Sequence, residues 1–181
     1  MNTPIKNSVW QLFFSRVAVA AWLLAFTWQA AAALEVASSV PQVKLPTATG
    51  VVDLEKLKGR VLYVDFWASW CGPCKQSFPW MNEMHAKYAA KGLEIIAINV
   101  DAKAADAERF LATTPAKFTV AFDARGLTPK QFDVKAMPTS YLVDSVGKVT
   151  LVHAGFRDPD RVTLEAAINA ALDARQTQGK K

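Results

Sequence analysis

The chain contains little cysteine: only two of its 181 residues, Cys71 and Cys74, are cysteines. No structural disulfide can therefore form without using this pair, and no third cysteine is available as a relay or as a separate peroxidatic thiol. Histidine is equally scarce, with only His85 and His153, and neither has zinc-finger spacing. Lys75 follows Cys74, so the pair does not belong to a CxxCH haem-attachment sequence. These shortages exclude a disulfide-rich scaffold, a zinc finger and a c-type haem protein.

The sequence also lacks low-complexity tracts and clustered charge. Its formal net charge is +5, and its longest basic cluster is Lys180-Lys181 at the very end. Before residue 34 there are two basic residues and no acidic one; without those two, 19 of the 21 basic residues remain against 16 acidic ones, a charge of +3. Such dispersed charge argues against nucleic-acid binding. With 51% hydrophobic residues, the chain can build the core of one domain.

Residues 1–33 have the pattern of an export signal. Lys6 and Arg16 supply a positive n-region, residues 17–33 carry no charge, and the alanines at 31–33 provide a small-residue cleavage site. The uncharged stretch is close to the lower limit for a membrane span, so an uncleaved N-terminal anchor is the alternative. Either way we expect a periplasmic domain, released or held at the inner membrane. Residues 34–39 are predicted to be a linker, 40–175 one domain, and 176–181 a disordered tail.

The stretch at 61–75, VLYVDFWASWCGPCK, is the most informative part of the sequence. Its apolar first half predicts a strand buried on both faces, as in a parallel sheet, and apolar residues three or four apart after it predict a helix. Cys71 is therefore expected beside a helix N-terminus, where unpaired N–H groups and the macrodipole favour an anion. Such sites lower a cysteine pKa from about 8.5 to roughly 3.5–7.5. The pair suits a reversible dithiol/disulfide couple; an inert disulfide or two buried thiols is the alternative.

Several motifs resemble the thioredoxins. Residues 65–68, DFWA, and 70–75, WCGPCK, are similar to their active-site segment. Pro79 stands where thioredoxins kink this helix, and residues 137–139, MPT, resemble their cis-proline loop. The wider pattern, over about residues 40–174, is similar to the TlpA/ResA/CcmG branch of exported thioredoxin-like proteins. The resemblance implies an α/β thioredoxin fold, a central mixed sheet flanked by helices.

The remaining elements fit that fold class. We predict an N-terminal β-hairpin within 40–52, whose prolines mark edge strands, and a short helical turn at 54–58 capped by Asp53. Later elements are strands at 93–100, 118–122, 139–143 and 148–153, and helices at 104–112, 127–132 and 160–174. The resemblance implies that the helix and strand between 104 and 122 are the central insertion of this branch.

Asp65 is an acid inside an otherwise apolar strand, and burial there costs free energy and should raise its pKa. The resemblance assigns Cys71 as nucleophile and Cys74 as the thiol that resolves the mixed disulfide. It also implies that Asp65 lies beneath the cysteines and passes a proton to or from Cys74. An ordinary hydrogen-bonded strand residue is the alternative. Thioredoxins have a lysine near this acid on the next core strand, whereas residues 96–98 here read IAI.

The substrate groove is expected around Pro138. The resemblance implies that this proline is cis and faces the cysteines, so that the backbone of Met137 can pair with an extended substrate. Trp70, Met137 and the loop containing Gly155 and Phe156 would line the groove. Each of these apolar side chains could instead belong to the core.

The function implied by the resemblance is that of a periplasmic thiol:disulfide oxidoreductase that reduces disulfides in exported proteins. Apocytochrome c or another cytochrome-assembly thiol is the implied client, and a DsbD- or CcdA-like membrane protein the implied electron donor. No organic cofactor or metal is expected, because the redox couple lies in the cysteines themselves. Two alternatives stay open: a disulfide-forming oxidase, and a non-catalytic module that binds partners through the groove.

Overall fold

The structure is a computed structural model that describes residues 36–179. The predicted export signal therefore lies outside the described residues. The seven strands are β1 Lys44–Thr47, β2 Gly50–Asp53, β3 Val61–Trp67, β4 Leu93–Asn99, β5 Thr119–Phe122, β6 Thr139–Val143 and β7 Val149–Ala154. The helices are α1 Gly72–Tyr88, α2 Ala104–Thr113, α3 Thr128–Gln131 and α4 Asp160–Gln178, with 3-10 turns at Leu54–Leu57 and Ala89–Lys91. Among these residues no helix is long and apolar enough to cross a membrane.

The strands form one mixed sheet in the order β2-β1-β5-β4-β3-β6-β7. Strand β3 runs parallel to β4 and antiparallel to β6, and all seven of its residues are buried. This confirms the strand predicted from the apolar run, because only a strand covered on both faces can be apolar throughout. The predicted helix and strand between 104 and 122 are α2 and β5, and β5 extends the sheet parallel to β4. The fold is the mixed α/β sheet predicted.

Two apolar layers cover the sheet. One lies between the sheet and helices α1, α2 and α4, where Phe78, Phe110 and Ile168 are buried together. The other lies on the opposite face, where Phe66 and Phe132 pack with their ring centroids 5.1 Å apart. Successive residues of β3 point into alternate layers, so the face that a residue serves follows from its position in the strand.

The N-terminal hairpin pairs β1 with β2 as predicted, and the Asp53 side chain accepts from Glu55 N to cap the turn that follows. The prediction that its prolines mark edge strands is wrong for Pro46, because β1 lies between β2 and β5. Strand β5 pairs with β1 at Thr47↔Ala121 only. Since this short ladder lies beyond Pro46, the missing N–H of the proline leaves it intact.

Both predicted flexible ends differ from the structure. Ala37 N donates to Val149 O at 2.7 Å, and Ser39 forms a bridge with Lys148, so the end of the predicted linker at 34–39 joins the edge of β7. Helix α4 continues to Gln178, so the predicted disorder at 176–181 is wrong for 176–178. Arg175 Nη1 donates to Lys91 O at 3.2 Å, and Gln178 Oε1 accepts from Ser145 Oγ at 3.1 Å. These long-range contacts hold the last turns of the helix.

Candidate active site

The two cysteines form a disulfide at the start of α1. Cys71 is the N-cap residue, its Cα lies 5.4 Å from that of Cys74, and its Sγ accepts a hydrogen bond from Cys74 N at 3.3 Å. Pro73 lies in the first turn, where its missing N–H costs no helical bond. The predicted position beside a helix N-terminus is confirmed. In this oxidised form both cysteines are buried, Cys71 with 3% of its surface exposed and Cys74 with none.

The loop before Cys71 is fixed by a buried carboxylate that the sequence analysis missed. Asp101 accepts from Ser69 N at 2.9 Å, from Ser69 Oγ at 3.0 Å and from Asn99 Nδ2 at 2.8 Å. Asn99 and Asp101 lie at the end of β4, and that end is beside the end of β3 because the two strands are parallel. The signal available in the sequence was two polar residues, Asn99 and Asp101, at and just after the end of a buried strand. Their effect is to hold the loop that carries Trp70.

Asp65 is buried on the cysteine side of the sheet. It is 1% exposed, and its neighbours on the same face of β3, Tyr63 and Trp67, belong to the apolar layer that contains both cysteines. Burial raises the pKa of Asp65 to about 7, against a smaller opposing effect of its hydrogen bond with Ser140. The predicted burial and raised pKa are confirmed. On β4 the residue opposite Asp65 is Ala97, so no lysine stands there.

One oxygen of Asp65 has a partner and the other has none within residues 36–179. Ser140 Oγ donates to Asp65 Oδ1 at 2.7 Å, and Oδ2 is buried without a hydrogen bond. Ser140 was not singled out from the sequence, because only the antiparallel pairing of β3 with β6 places it opposite Asp65. With its pKa near 7, the buried carboxyl group has both its protonated and its ionised form populated at neutral pH, so it can either give or accept a proton.

The loop before β6 has the cis proline that was predicted. The Met137–Pro138 peptide bond is cis. Gly155 N donates to Pro138 O at 2.8 Å, and Gly155 has φ 85°, a left-handed conformation that glycine adopts without penalty. Met137 is half-buried and packs against both apolar layers. Residues 137 and 155, predicted to border one groove, are thus joined through Pro138.

The aromatic residues predicted to line the groove separate into two environments. Trp70 is 71% exposed beside Cys71, whereas Phe156 is only 3% exposed. The Phe156 ring packs on that of Trp80 with centroids 5.5 Å apart. Phe156 is therefore a core residue and its predicted place in the groove is wrong. The loop turns at Gly155, and this turn directs the next side chain inward.

The described part of the chain contains no group of three or more His, Cys, Asp and Glu residues that could hold a metal ion. The chemistry available at this site is that of the Cys71–Cys74 couple itself. A CxxC disulfide at the N-terminus of the helix that follows the central strand, with a buried acid on the same face, defines a thioredoxin-like dithiol/disulfide protein.

Comparison with known proteins agrees with this class. The chain belongs to the Redoxin family, which it matches over residues 35–170. It is 36% identical over 117 residues to the thiol-disulfide oxidoreductase ResA of Bacillus thuringiensis subsp. konkukian, a match covering 64% of this chain and 68% of that protein. It is 32% identical over 119 residues to ResA of Bacillus subtilis, covering 65% of this chain and 66% of that protein.

Solved structures show the same relationship. A chain named as a thiol:disulfide interchange protein DsbE, from Chlorobium tepidum, is 57% identical with a TM-score of 0.76, covering 77% of this chain and 99% of that one. The thioredoxin domain of a Bacteroides vulgatus thiol-disulfide oxidoreductase is 21% identical with a TM-score of 0.67, covering 75% of this chain and 99% of that one, and shares the fold. The protein is therefore a thiol-disulfide oxidoreductase with a thioredoxin-like fold.

Proposed function

We propose that this protein reduces disulfides in exported proteins, with Cys71 as nucleophile, Cys74 as resolving thiol and Asp65 as the group that exchanges a proton with Cys74. The observation that carries the proposal is the position of Cys71 as N-cap of α1, with the buried Asp65 carboxyl on the same side of the sheet. The helix N-terminus stabilises the thiolate of the reduced form, and the thiolate is the species that attacks a disulfide.

The reaction moves two electrons from the dithiol to the substrate. The Cys71 thiolate attacks one sulfur of a substrate disulfide, forming a mixed disulfide and releasing the other substrate sulfur as a thiolate, which takes a proton from water. Cys74 then gives its proton to Asp65, attacks Cys71 Sγ and releases the second substrate sulfur. The products are the reduced substrate and the Cys71–Cys74 disulfide of the structure. A membrane electron donor of the DsbD or CcdA type restores the dithiol.

The reducing direction follows from how little stabilises the thiolate besides the helix. The residues between the cysteines, Gly72 and Pro73, bring neither a charge nor a side-chain hydrogen-bond donor. Strong stabilisation of the thiolate favours the reduced form and makes an oxidant, as in DsbA at about −120 mV, whereas thioredoxin lies at about −270 mV. We therefore expect a potential below roughly −200 mV. Equilibration with glutathione followed by thiol counting measures it, and a value near that of DsbA would make the protein an oxidase instead.

The groove gives the proposal its substrate class. Trp70 exposes most of its surface next to Cys71, and the Met137 backbone precedes the cis Pro138. These two features support an extended polypeptide, with its disulfide at Cys71, as the proposed substrate. Given the export signal predicted in residues 1–33, we propose periplasmic clients, and the resemblance to the TlpA/ResA/CcmG branch points to thiols of cytochrome c assembly.

Insulin reduction with dithiothreitol tests for the reductase activity. The wild-type protein should accelerate precipitation of the insulin B chain, and Cys71→Ser should abolish the effect because the nucleophile is lost. A wild-type protein without effect would instead indicate a module that only binds partners.

A further inference from the structure

A row of polar side chains crosses the sheet from the buried acid to the surface. Asp65 on β3 lies opposite Ser140 on β6, and Ser140 lies opposite His153 on β7. Directly opposed residues of antiparallel strands project to the same face with Cβ atoms about 4.5–5.5 Å apart. At the far end His153 Nε2 lies 3.3 Å from Asp160 Oδ2 at the start of α4, an ion-pair distance without hydrogen-bond geometry. The row thus runs from the protein interior to the edge strand.

Exposure changes along this row. Asp65 and Ser140 are 1% and 2% exposed, whereas the His153 side chain is 26% exposed. Asp65 has Ala97 on its other side, so the opposite direction along the sheet offers no polar group in register. Along the strand register, the polar groups that lead from Asp65 towards the surface are therefore Ser140 and His153. The strand register thus provides a row of polar side chains between the buried Asp65 and the partly exposed His153.

The side chains in the row have the chemistry that proton exchange needs. A serine hydroxyl donates one hydrogen bond and accepts others at the same time, and Ser140 Oγ already donates to Asp65 Oδ1 at 2.7 Å. A neutral imidazole has one ring nitrogen that donates a hydrogen bond and one that accepts. His153, opposite Ser140 in the register, can therefore exchange a proton with the Ser140 hydroxyl.

Two other ionisable groups lie near the row, Tyr63 and Arg157. The Tyr63 hydroxyl is buried, and its pKa is raised by that burial first and then by Asp65; its hydrogen bond with Ser140 opposes these effects, and Asp160 makes the smallest contribution, upward. Tyr63 therefore stays a neutral phenol at physiological pH. Arg157 Nε lies 3.9 Å from Asp160 Oδ2, but the Arg157 side chain is 84% exposed.

We propose that Ser140 and His153 form the path by which Asp65 exchanges its proton with solvent, acting through Asp65 as positioning and relay residues. This inference rests on the proposed role of Asp65. After Cys74 has given its proton to Asp65, a proton leaves along the row in three transfers. Asp65 passes a proton to Ser140 Oγ, Ser140 passes the proton it already carried to His153, and His153 releases a proton to water. When the disulfide is reduced, the same transfers in reverse order bring a proton back to Asp65.

The test follows the two cysteine steps separately with the chromogenic disulfide DTNB. Attack by Cys71 releases a first thionitrobenzoate, and attack by Cys74 on the resulting mixed disulfide releases a second. The leaving group needs no proton, so the second phase reports how fast Cys74 loses its own. Stopped-flow absorbance from pH 5 to 9 gives both rates for the wild type and for His153→Gln.

We expect His153→Gln to leave the first phase unchanged and to slow the second about tenfold, less than the roughly 10²–10⁴-fold cost of losing a general base itself. Imidazole buffer should restore the second phase, because it can replace the missing relay from solvent. Ser140→Ala should also slow it, and Ser140→Thr, which keeps the hydroxyl, should not. The matched control is His85→Gln, since His85 lies on α1 and lines a different groove with Thr47 and Phe118.

Comparison with Asp65→Asn separates failure of the path from failure of the proposed function. If Asp65→Asn slows the second phase but His153→Gln behaves like His85→Gln, the path is wrong and the role of Asp65 stands. Two further results would show that His153→Gln acts only on structure, and either would overturn the path. The first is a slower second phase that imidazole does not restore. The second is a slowing by His153→Gln that is the same in the Asp65→Asn background. A second phase unchanged in Asp65→Asn overturns both.

Discussion

At the residue scale, Asp65 holds a carboxyl group where water does not reach it. The strand that carries it is buried throughout, and the single hydrogen bond from Ser140 satisfies only one of its oxygens. Retaining an acid there costs free energy of folding. The proposed proton exchange with Cys74 is a role that an apolar residue could not fill.

The cost of Asp65 should appear as a pH-dependent stability. Its folded pKa of about 7 lies above its ordinary value of 3.8, so between these pH values the native state holds a proton that the unfolded state has released. Stability therefore falls as pH rises through this window, by up to about 4 kcal/mol at about 1.4 kcal/mol per pH unit. We predict that Asp65→Asn matches the wild type near pH 4 and exceeds it at pH 8 in urea unfolding of the oxidised protein.

The control for this measurement is Asp173→Asn, which changes an exposed carboxylate on α4. It should leave the pH dependence as in the wild type. An Asp65→Asn protein whose stability falls with pH as steeply as that of the wild type would contradict the raised pKa.

The two cysteines should differ in reactivity once reduced. Cys71 caps α1 and keeps the only measurable exposure of the pair, 3% against 0% for Cys74. We predict that iodoacetamide at pH 7 modifies Cys71 first and Cys74 far more slowly, because the thiolate is the reactive form. Peptide mapping after short reaction times checks this, and modification of Cys74 first would reverse the assigned roles.

At the scale of the elements, the junction between β3 and α1 is held by the neighbouring strand. Asp101 follows β4 and accepts both hydrogen bonds that Ser69 offers. Because β3 and β4 are parallel, their carboxyl ends meet, and a polar residue after one strand can fix the loop after the other. The position of Cys71 and Trp70 thus depends on a residue thirty positions away in the sequence.

Removing this carboxylate should cost stability. Asp101→Ala leaves Ser69 and Asn99 without a buried acceptor, and hydrogen bonds to charged groups contribute roughly 1.5–3 kcal/mol. We predict a loss of at least about 2 kcal/mol in urea unfolding, with slower insulin reduction. Asp106→Ala is the control, because Asp106 pairs with the exposed Arg109 on the helix surface and such pairs contribute little. Equal losses in the two variants would contradict the role given to Asp101.

At the scale of the whole molecule, the sheet order brings the redox pair and the groove together. Strand β3, which ends at the cysteines, pairs on one side with β6, which begins at the cis proline, and β6 pairs with β7, which leads to Gly155. The site is therefore assembled from segments more than eighty residues apart along the chain, from Cys71 to Gly155.

Trapping in cells should identify the clients of this site. In Cys74→Ser the mixed disulfide at Cys71 cannot be resolved, so client proteins should remain attached until dithiothreitol releases them. We predict that the trapped proteins carry export signals and have paired cysteines. Cys71→Ser is the control and should trap none; equal trapping by both variants, or clients confined to the cytoplasm, would contradict the proposed function.

The sequence alone determined the features that depend on neighbours along the chain. The apolar run of β3, the helical spacing after it and the CGPC between them placed Cys71 at a helix N-terminus, because strand and helix periods are local properties. Asp65 was recognised as buried for the same reason. The cis Pro138 followed from resemblance, since any isolated X-Pro bond is far more often trans.

The tertiary structure decided what depends on pairing between distant segments. Ser140 lies opposite Asp65, and His153 opposite Ser140, only through the register of β6 and β7. Asp101 reaches Ser69 only because β3 and β4 are parallel. Phe156 entered the core and α4 gained its last turn through contacts with Trp80 and Lys91, both more than seventy residues earlier. Such contacts cannot be predicted from the spacing of residues in the sequence, because strand register and packing are fixed by the whole fold rather than by neighbouring residues.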